Sequence, residues 1–215
     1  MLKTFLMLHL KNHALNKPFF SFCLALALSW GLQAQVSSYA LDETSAISIK
    51  GTSTFHDWTA TVGEFSGTLE LGESFEAAKS KTLVVDKASL QFQVVSIDGG
   101  RGAAMNKKIK AALKSTEHPA ISFEITQAQK AVIQKSDEGG VLQVSGKLAI
   151  AGVSKDITLS LTNTEAPAGT LAFVAEYPMK LSDFEMEPPS AMFGQIVTGD
   201  DITIVFDLKF ASASN

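Results

Sequence analysis

Apolar residues recur at every second position along most of this 215-residue chain, and that alternation constrains its fold more than any other feature. It runs through Ile47 and Ile49, through Phe65, Leu69 and Leu71, through Leu90, Phe92 and Val94, and through Ile121, Phe123 and Ile125. It continues at Leu142, Val144, Leu148 and Ile150, then at Ile157, Leu159 and Leu161. Leu171, Phe173, Ala175 and Tyr177 form another run, and Ile202, Ile204, Phe206, Leu208 and Phe210 the last. The residues between are largely Ser, Thr, Gln, Glu, Lys and Asp. Neighbouring side chains on a strand point to opposite faces, so each run predicts a strand with one dry face and one wet face.

Turn chemistry separates the runs at Asp98-Gly99-Gly100, Asp137-Glu138-Gly139-Gly140, Ala166-Pro167-Ala168-Gly169 and Thr198-Gly199-Asp200-Asp201. The chain therefore reads as about eight strands, most joined by short links, in a single antiparallel β domain. One segment departs from period two. Ala103 to Ser115 places Met105, Ile109, Ala112 and Leu113 on one helical face and Lys107, Lys108, Lys110 and Lys114 largely on the rest, which predicts one short amphipathic helix. Strands with one apolar face each close into a barrel or stack as a sandwich, and periodicity alone does not separate the two. An eight-stranded barrel has an interior just wide enough for packed side chains or for one small ligand.

The first residues carry Lys3, Lys11 and Lys17, no acid, and an apolar run from Phe19 to Leu28 that is too short to span a bilayer. Ser29, Trp30 and Gly31 lead to Leu32-Gln33-Ala34, a small-residue ending of the kind signal peptidase accepts. Met1 to Ala34 is expected to be a secretory signal, leaving residues 35–215 as one exported domain, in the periplasm or alternatively outside the cell. Cys23 follows Phe22 within the apolar run and does not form a lipoprotein box. Loss of the segment's three lysines from 18 Lys and Arg leaves 15 basic residues against 22 acidic, or −7 with His neutral. Such a domain is repelled by phosphate backbones and by anionic lipid surfaces, which argues against nucleic acid and against peripheral membrane binding. The mature chain also loses its one Cys, so no disulfide, thiol nucleophile or thiolate metal site is expected. The sequence leaves the oligomeric state open, a dimer included.

Candidate chemistry is sparse. His56 sits in Thr54-Phe55-His56-Asp57-Trp58, where an adjacent carboxylate could orient an imidazole for base catalysis. Adjacent residues of an extended segment face opposite ways, so a structural or ligand-polar role for His56 is the better reading. His118, before Pro119, reads as a solvated turn. Two separated histidines give no metal-ligand spacing, and no cofactor is required by any motif. Gly63-Glu64-Phe65-Ser66-Gly67 misses the nucleophile-elbow spacing by one residue. The lysines of the helix read as a solvated face, with an acidic head group as an alternative partner.

Several stretches, in order, resemble the YceI-like family of exported lipid-binding domains. They are Ile49-Lys50-Gly51-Thr52-Ser53-Thr54-Phe55-His56-Asp57-Trp58, then Gly63-Glu64-Phe65-Ser66-Gly67-Thr68-Leu69 and Val95-Ser96-Ile97-Asp98-Gly99-Gly100. His118-Pro119-Ala120-Ile121-Ser122-Phe123 is similar to the family's Tyr-Pro-x-Ile-x-Phe. The most specific block is Val144-Ser145-Gly146-Lys147-Leu148-Ala149-Ile150-Ala151-Gly152-Val153-Ser154-Lys155-Asp156-Ile157-Thr158-Leu159, which follows Val-x-Gly-x-Leu-x-Ile-x-Gly-Val-Thr-Lys-x-Val-x-Leu. The resemblance implies an all-β, lipocalin-like antiparallel barrel of about eight strands that holds a polyisoprenoid or similar apolar chain and performs no chemistry. Where many members carry Arg-Asp-x-His-Leu, this chain has Arg101-Gly102-Ala103-Ala104-Met105, so only Arg101 can inherit part of a head-group role. Inward candidates for ligand contact are Leu90, Phe92, Val94, Phe123, Ile125, Val144, Leu148, Leu159 and Phe206, with Arg101 and His56 as polar candidates. Two other readings stay open: an enzyme of apolar substrates acting through His56, and an adaptor whose filled barrel offers only surface loops.

Overall fold

Strand alternation is realised as a closed ring. The computed structural model describes residues 37–72, 82–125, 129–132, 134–136 and 139–213. The expected export segment, Met1 to Ala34, and the Asp137-Glu138 half of one expected turn lie outside these described residues. In chain order the elements are β1 (Ser37–Leu41), β2 (Ala46–Ser53), β3 (Asp57–Val62), β4 (Phe65–Leu71), β5 (Thr82–Gln93), β6 (Ile97–Asp98) and the helix α1 (Ala103–Ala112). They continue with β7 (Ala120–Ile125), β8 (Gln129–Val132), β9 (Gln134–Ser136), β10 (Gly139–Ile150), β11 (Val153–Thr164), β12 (Thr170–Lys180), β13 (Ser190–Ala191) and β14 (Ile196–Ser212).

Neighbours pair antiparallel in the order β1, β4, β5, β7, β10, β11, β12 and β14, and β14 returns to β1 through the pair Leu41 and Phe210, which closes an eight-stranded barrel. The sandwich alternative is thereby excluded. The 17-residue β14 explains why more than eight segments occupy eight positions. Its last residues pair with β1, and its stretch from Ile202 to Asp207 pairs with β2, which pairs in turn with β3. So β1 and β2 share one position, interrupted by a turn at residues 42–45, and β3 and β4 share the next, interrupted at Gly63-Glu64.

These interruptions preserve the inward face. Trp58, Ala60 and Val62 point inward at even positions, whereas Leu69 and Leu71 do so at odd ones, because the two residues between β3 and β4 shift the phase. The break after Gln93 works the same way. The run Leu90, Phe92, Val94 was expected to continue as a strand, but Val94–Ser96 forms a single 3₁₀ turn that leaves Val95 exposed and brings Ile97 back to the core. Ser96 sets this kink by donating to the Gln93 carbonyl at 2.7 Å and accepting the Glu64 amide at 2.8 Å.

One expected turn is corrected. Thr198-Gly199-Asp200-Asp201 does not separate two strands; it is a bulge inside β14, where the register against β2 slips between Thr198 and Ile202. Gly and Asp residues suit a bulge as well as a turn, and the ring of partners on both sides decides between them. The best-matched block forms the β10–β11 hairpin, with Ile150 paired to Val153 and positive φ at Ala151 (50°) and Gly152 (89°). Positive φ at both loop residues is the mirror-image turn that fits strand twist. A side chain at Gly152 would also strike the His118 ring, 2.5 Å from its Cβ position. His118 is therefore packed onto this hairpin rather than freely solvated.

Ser45 is the one buried polar side chain among the described residues, and its hydroxyl both donates to the Lys209 carbonyl and accepts the Lys209 amide. That exchange staples the β1–β2 turn to β14. Elsewhere the interior is apolar, and Phe173, Phe184, Leu71, Ile97, Val85 and Val94 are its most enclosed side chains.

Candidate functional site

Among the described residues, three apolar voids lie in the barrel interior. The largest, about 90 Å³, lies at the end covered by α1 and is lined by the helix residues Met105, Ile109, Ala112 and Leu113 together with Ile121, Ile150 and Ile202 of the wall. A middle void of about 40 Å³ is lined by Phe92, Leu148, Tyr177 and Phe206 among others. A third of about 40 Å³ lies among Ile125, Val144, Phe173 and Phe210. Shared lining residues show how the voids are divided. Ile49, Ile121 and Ile204 stand between the helix-end and middle voids, while Leu90, Phe123 and Leu159 stand between the middle one and the third. Six side chains on β2, β5, β7, β11 and β14 thus partition one continuous apolar core.

No charged side chain lines any of the three. A charged group placed inside would lose hydration without a partner, whereas a hydrocarbon would lose nothing, so the interior is matched to apolar chemistry alone. The polar atoms nearest it are few. Tyr177 brings a phenol to the middle void, with its pKa raised by burial and by the negative charge of Asp183. Trp58 lines the helix-end void, lies over Gly51, and sends its indole N–H to the Thr52 carbonyl at 2.8 Å.

The helix covers its end of the barrel through a small polar hinge. Asn106 donates from Nδ2 to Asp98 Oδ1 at 3.1 Å and accepts the Gly99 amide at 2.9 Å, and Asp98 also accepts the Gly100 amide at 3.0 Å. These donors lower the Asp98 pKa, the Gly100 amide most and Asn106 next. Gly99 has no room for a side chain, since Met105 and Ile109 lie 2.8 and 2.9 Å from its Cβ position. The sequence predicts the helix and its apolar face correctly; the observed helix ends at Ala112, three residues before Ser115.

The inward candidates divide by position. Leu90, Phe92, Phe123, Leu148, Leu159 and Phe206 line the middle void, and Ile125 and Val144 line the third with Leu90, Phe123 and Leu159. Phe92 and Phe206 face each other with ring centroids 6.2 Å apart. Val94 is buried in the kink after β5 and lines none of the three. Arg101 is exposed in the loop before α1, and His56 is exposed on the β2–β3 turn, so neither reaches a void. At that turn Ser53 Oγ donates to the His56 carbonyl at 2.8 Å and lies 3.2 Å from His56 Nδ1. The hydroxyl's proton thereby closes the turn. Asp57 begins β3 with its side chain exposed and makes no metal cluster with His56; no group of three ligating side chains occurs among the described residues.

Sequence reasoning missed the contribution of Leu181, Met186 and Pro189, which line the helix-end void from the segment between β12 and β13. That segment has no strand or helix period, and its Met and Pro residues carried no signal of inwardness. An open, solvated groove between Lys50, Asp57, Lys180 and Asp201 mixes these charged side chains with Trp58, Met179 and Ile202. Its cations are already engaged, Lys180 with Asp201 at 2.7 Å and Lys50 with Glu176 at 3.9 Å, in exposed pairs that solvent screens.

Comparison with solved structures places this barrel among relatives of low sequence identity. BcnA of Burkholderia cenocepacia superposes with a TM-score of 0.59 at 20% identity, over 79% of this chain and 98% of that one. A polyisoprenoid binding domain from Saccharophagus degradans gives 0.58 at 14% identity, over 82% and 99%. The YceI protein of Campylobacter jejuni gives 0.52 at 19%, over 73% and 85%. No curated protein matches the chain. The family model for the YceI-like domain matches residues 39–210, from the middle of β1 to within two residues of the end of β14, and so spans the whole closed ring. This chain belongs to the YceI-like domain family.

Proposed function

We propose that the protein is an exported carrier or store for a long apolar molecule, a polyisoprenoid, quinone-like or fatty chain, and that it binds without transforming its ligand. The observation that carries this reading is the uncharged axis of three voids, open to division or union by six side chains. The relative from Saccharophagus degradans described as a polyisoprenoid binding domain supports the same class of ligand. Each void is well below the roughly 300 Å³ of a small-molecule pocket, so a long chain is accommodated by rotation of Ile49, Ile121, Ile204, Leu90, Phe123 and Leu159.

Energetics set a minimum length. Burial contributes about 0.8 kcal/mol per CH₂, or about 4 kcal/mol per five-carbon isoprene unit. Association costs on the order of 4 to 15 kcal/mol, so several units are needed for a net gain. A charged head group would remain outside the apolar axis, at the helix end. The test is organic extraction of the protein recovered from the exported fraction, followed by mass spectrometry. A stoichiometric apolar chain is the expected result, and a protein that yields none and takes up none from a polyprenyl mixture refutes the reading. Turnover of an apolar ester lost in a His56→Ala variant would instead support the enzyme alternative.

A further inference from the structure

Among the described residues, the end of the barrel that α1 covers also carries most of the large apolar side chains left in water. Phe55 is 71% exposed on the β2–β3 turn, Met192 is 64% exposed, Phe193 is fully exposed at 111%, and Val197 is 43% exposed at the start of β14. They form one neighbourhood, because the Thr54 amide donates to the Val197 carbonyl at 3.0 Å and the Val197 amide donates to Thr54 Oγ1 at 3.0 Å. The helix joins the same neighbourhood through Lys108, whose ammonium donates to the Ser190 carbonyl. The loop bearing Phe193 is held in an unfavourable shape, with φ of 52° at Met192, 55° at Phe193 and 87° at Gly194. Left-handed conformation is costly for bulky residues and concentrates at functional sites. Here it turns a phenylalanine out of the protein, against the preference of the ring for burial.

Charge completes the pattern. Met105, Ile109, Ala112 and Leu113 face the void, and helical spacing puts Lys107 and Lys110 on the opposite side of α1, with Lys114 exposed in the turn that follows the helix at a φ of 50°. Residues 101–114 contain these three lysines, Lys108 and Arg101, and no acid. Among the described residues Lys107, Lys110 and Lys114 form no ion pair, whereas Lys50, Lys87, Lys147, Lys155 and Lys180 of the wall do. Exposed aromatic and aliphatic tips beside a run of unpaired cations are the combination by which proteins rest in the interface of an anionic bilayer.

We propose that the helix end of the barrel is a membrane-docking surface, with Phe55, Met192, Phe193 and Val197 entering the headgroup boundary and Lys107, Lys110, Lys114 and Arg101 facing anionic phospholipid. The overall charge of −7 for residues 35–215 opposes approach to such a membrane. At physiological salt the Debye length is about 8 Å, which screens charges on the far wall, so the cations of the patch are opposed chiefly by the exposed acids of the same end, Asp57, Glu117, Glu185 and Glu187. The placement brings the largest apolar void next to the bilayer, although docking stands independently of whether that void takes lipid.

The experiment is vesicle flotation of the protein recovered from the exported fraction, its intact mass recorded, with phosphatidylcholine vesicles and with phosphatidylcholine–phosphatidylglycerol vesicles. Binding to the anionic vesicles is expected, weakening as salt rises. With each surface cation contributing roughly fivefold, a Lys107→Gln, Lys110→Gln double variant should bind on the order of 25-fold more weakly. Phe193→Ser should weaken binding at low and high salt alike and leave the melting curve unchanged, since the ring touches nothing it supports. Absence of vesicle binding overturns the proposal, as does binding that is indifferent to anionic lipid or unaffected by both variants. Self-association in sedimentation without vesicle binding would mark the patch as a contact between copies, and would equally overturn it.

Discussion

Ala112→Leu puts the helix-end void to a quantitative test. Ala112 is half-buried on α1, close to its C-terminal end, and lines a void of about 90 Å³. Leucine adds three carbons, worth about 2.4 kcal/mol if fully buried at 0.8 kcal/mol per CH₂. Independently, filling the 90 Å³ at about 24 cal/mol per Å³ recovers about 2.2 kcal/mol, so the two routes agree. Ordering the leucine side chain costs about 0.5 to 1 kcal/mol, and alanine and leucine differ little in helix propensity. The lipid-free variant should therefore be more stable by about 1.2 to 1.9 kcal/mol, read as a higher urea midpoint at unchanged slope. Retention of a polyprenyl ligand should move the other way, because the added side chain occupies the space nearest the helix end. Loss of stability by the 1 to 3 kcal/mol typical of overpacking would show that the void is not available for filling. Unchanged retention in a stabilised variant would refute the role of this void in holding the ligand.

Gly146→Ala should destabilise the barrel by about 1 to 3 kcal/mol, because the new methyl would lie 2.5 Å from the Phe123 ring and 2.6 Å from the Glu124 carbonyl; urea unfolding measures it. Acid should loosen the α1 hinge: the lowered pKa of Asp98 means its contribution is present above the ordinary carboxylate value of 3.8 and is lost as pH falls through the lower folded value. Amide hydrogen exchange at Gly99 and Gly100 should report this loss, and an Asp98→Ala variant should show no such pH dependence there. Export should be accompanied by cleavage after Ala34, so the intact mass of the secreted form should correspond to a chain beginning at Gln35; retention of Met1 to Ala34 would refute the export reading.

Alternation alone marked most of the barrel interior, while Tyr39, Ala60, Val62, Val85 and Met179 are buried outside the alternating runs. Ile121, Phe123 and Ile125 are all buried, as are Leu142, Val144, Leu148 and Ile150, because a strand offers only two faces and water selects between them. The amphipathic helix was legible for the same reason at a different period. Breaks in the pattern were legible as places but not as shapes. Thr198-Gly199-Asp200-Asp201 has the composition of a turn and forms a bulge, because β14 must pair with β12 on one side and with β1 and β2 in succession on the other.

What the sequence by itself determined was which side chains avoid water, and thereby the class of fold and the apolar character of the interior. Closure of the ring was decided only by tertiary structure, since it depends on Phe210 of the last strand meeting Leu41 of the first across the whole length of the domain. The division of the axis into three voids was likewise beyond the alternation, because it depends on how Leu90, Phe123 and Leu159 from three different strands meet at one level. The gathering of Phe55, Phe193 and the lysines of α1 at one end has the same origin: residues distant in the chain share an end of the barrel only after strand register fixes where each connection emerges.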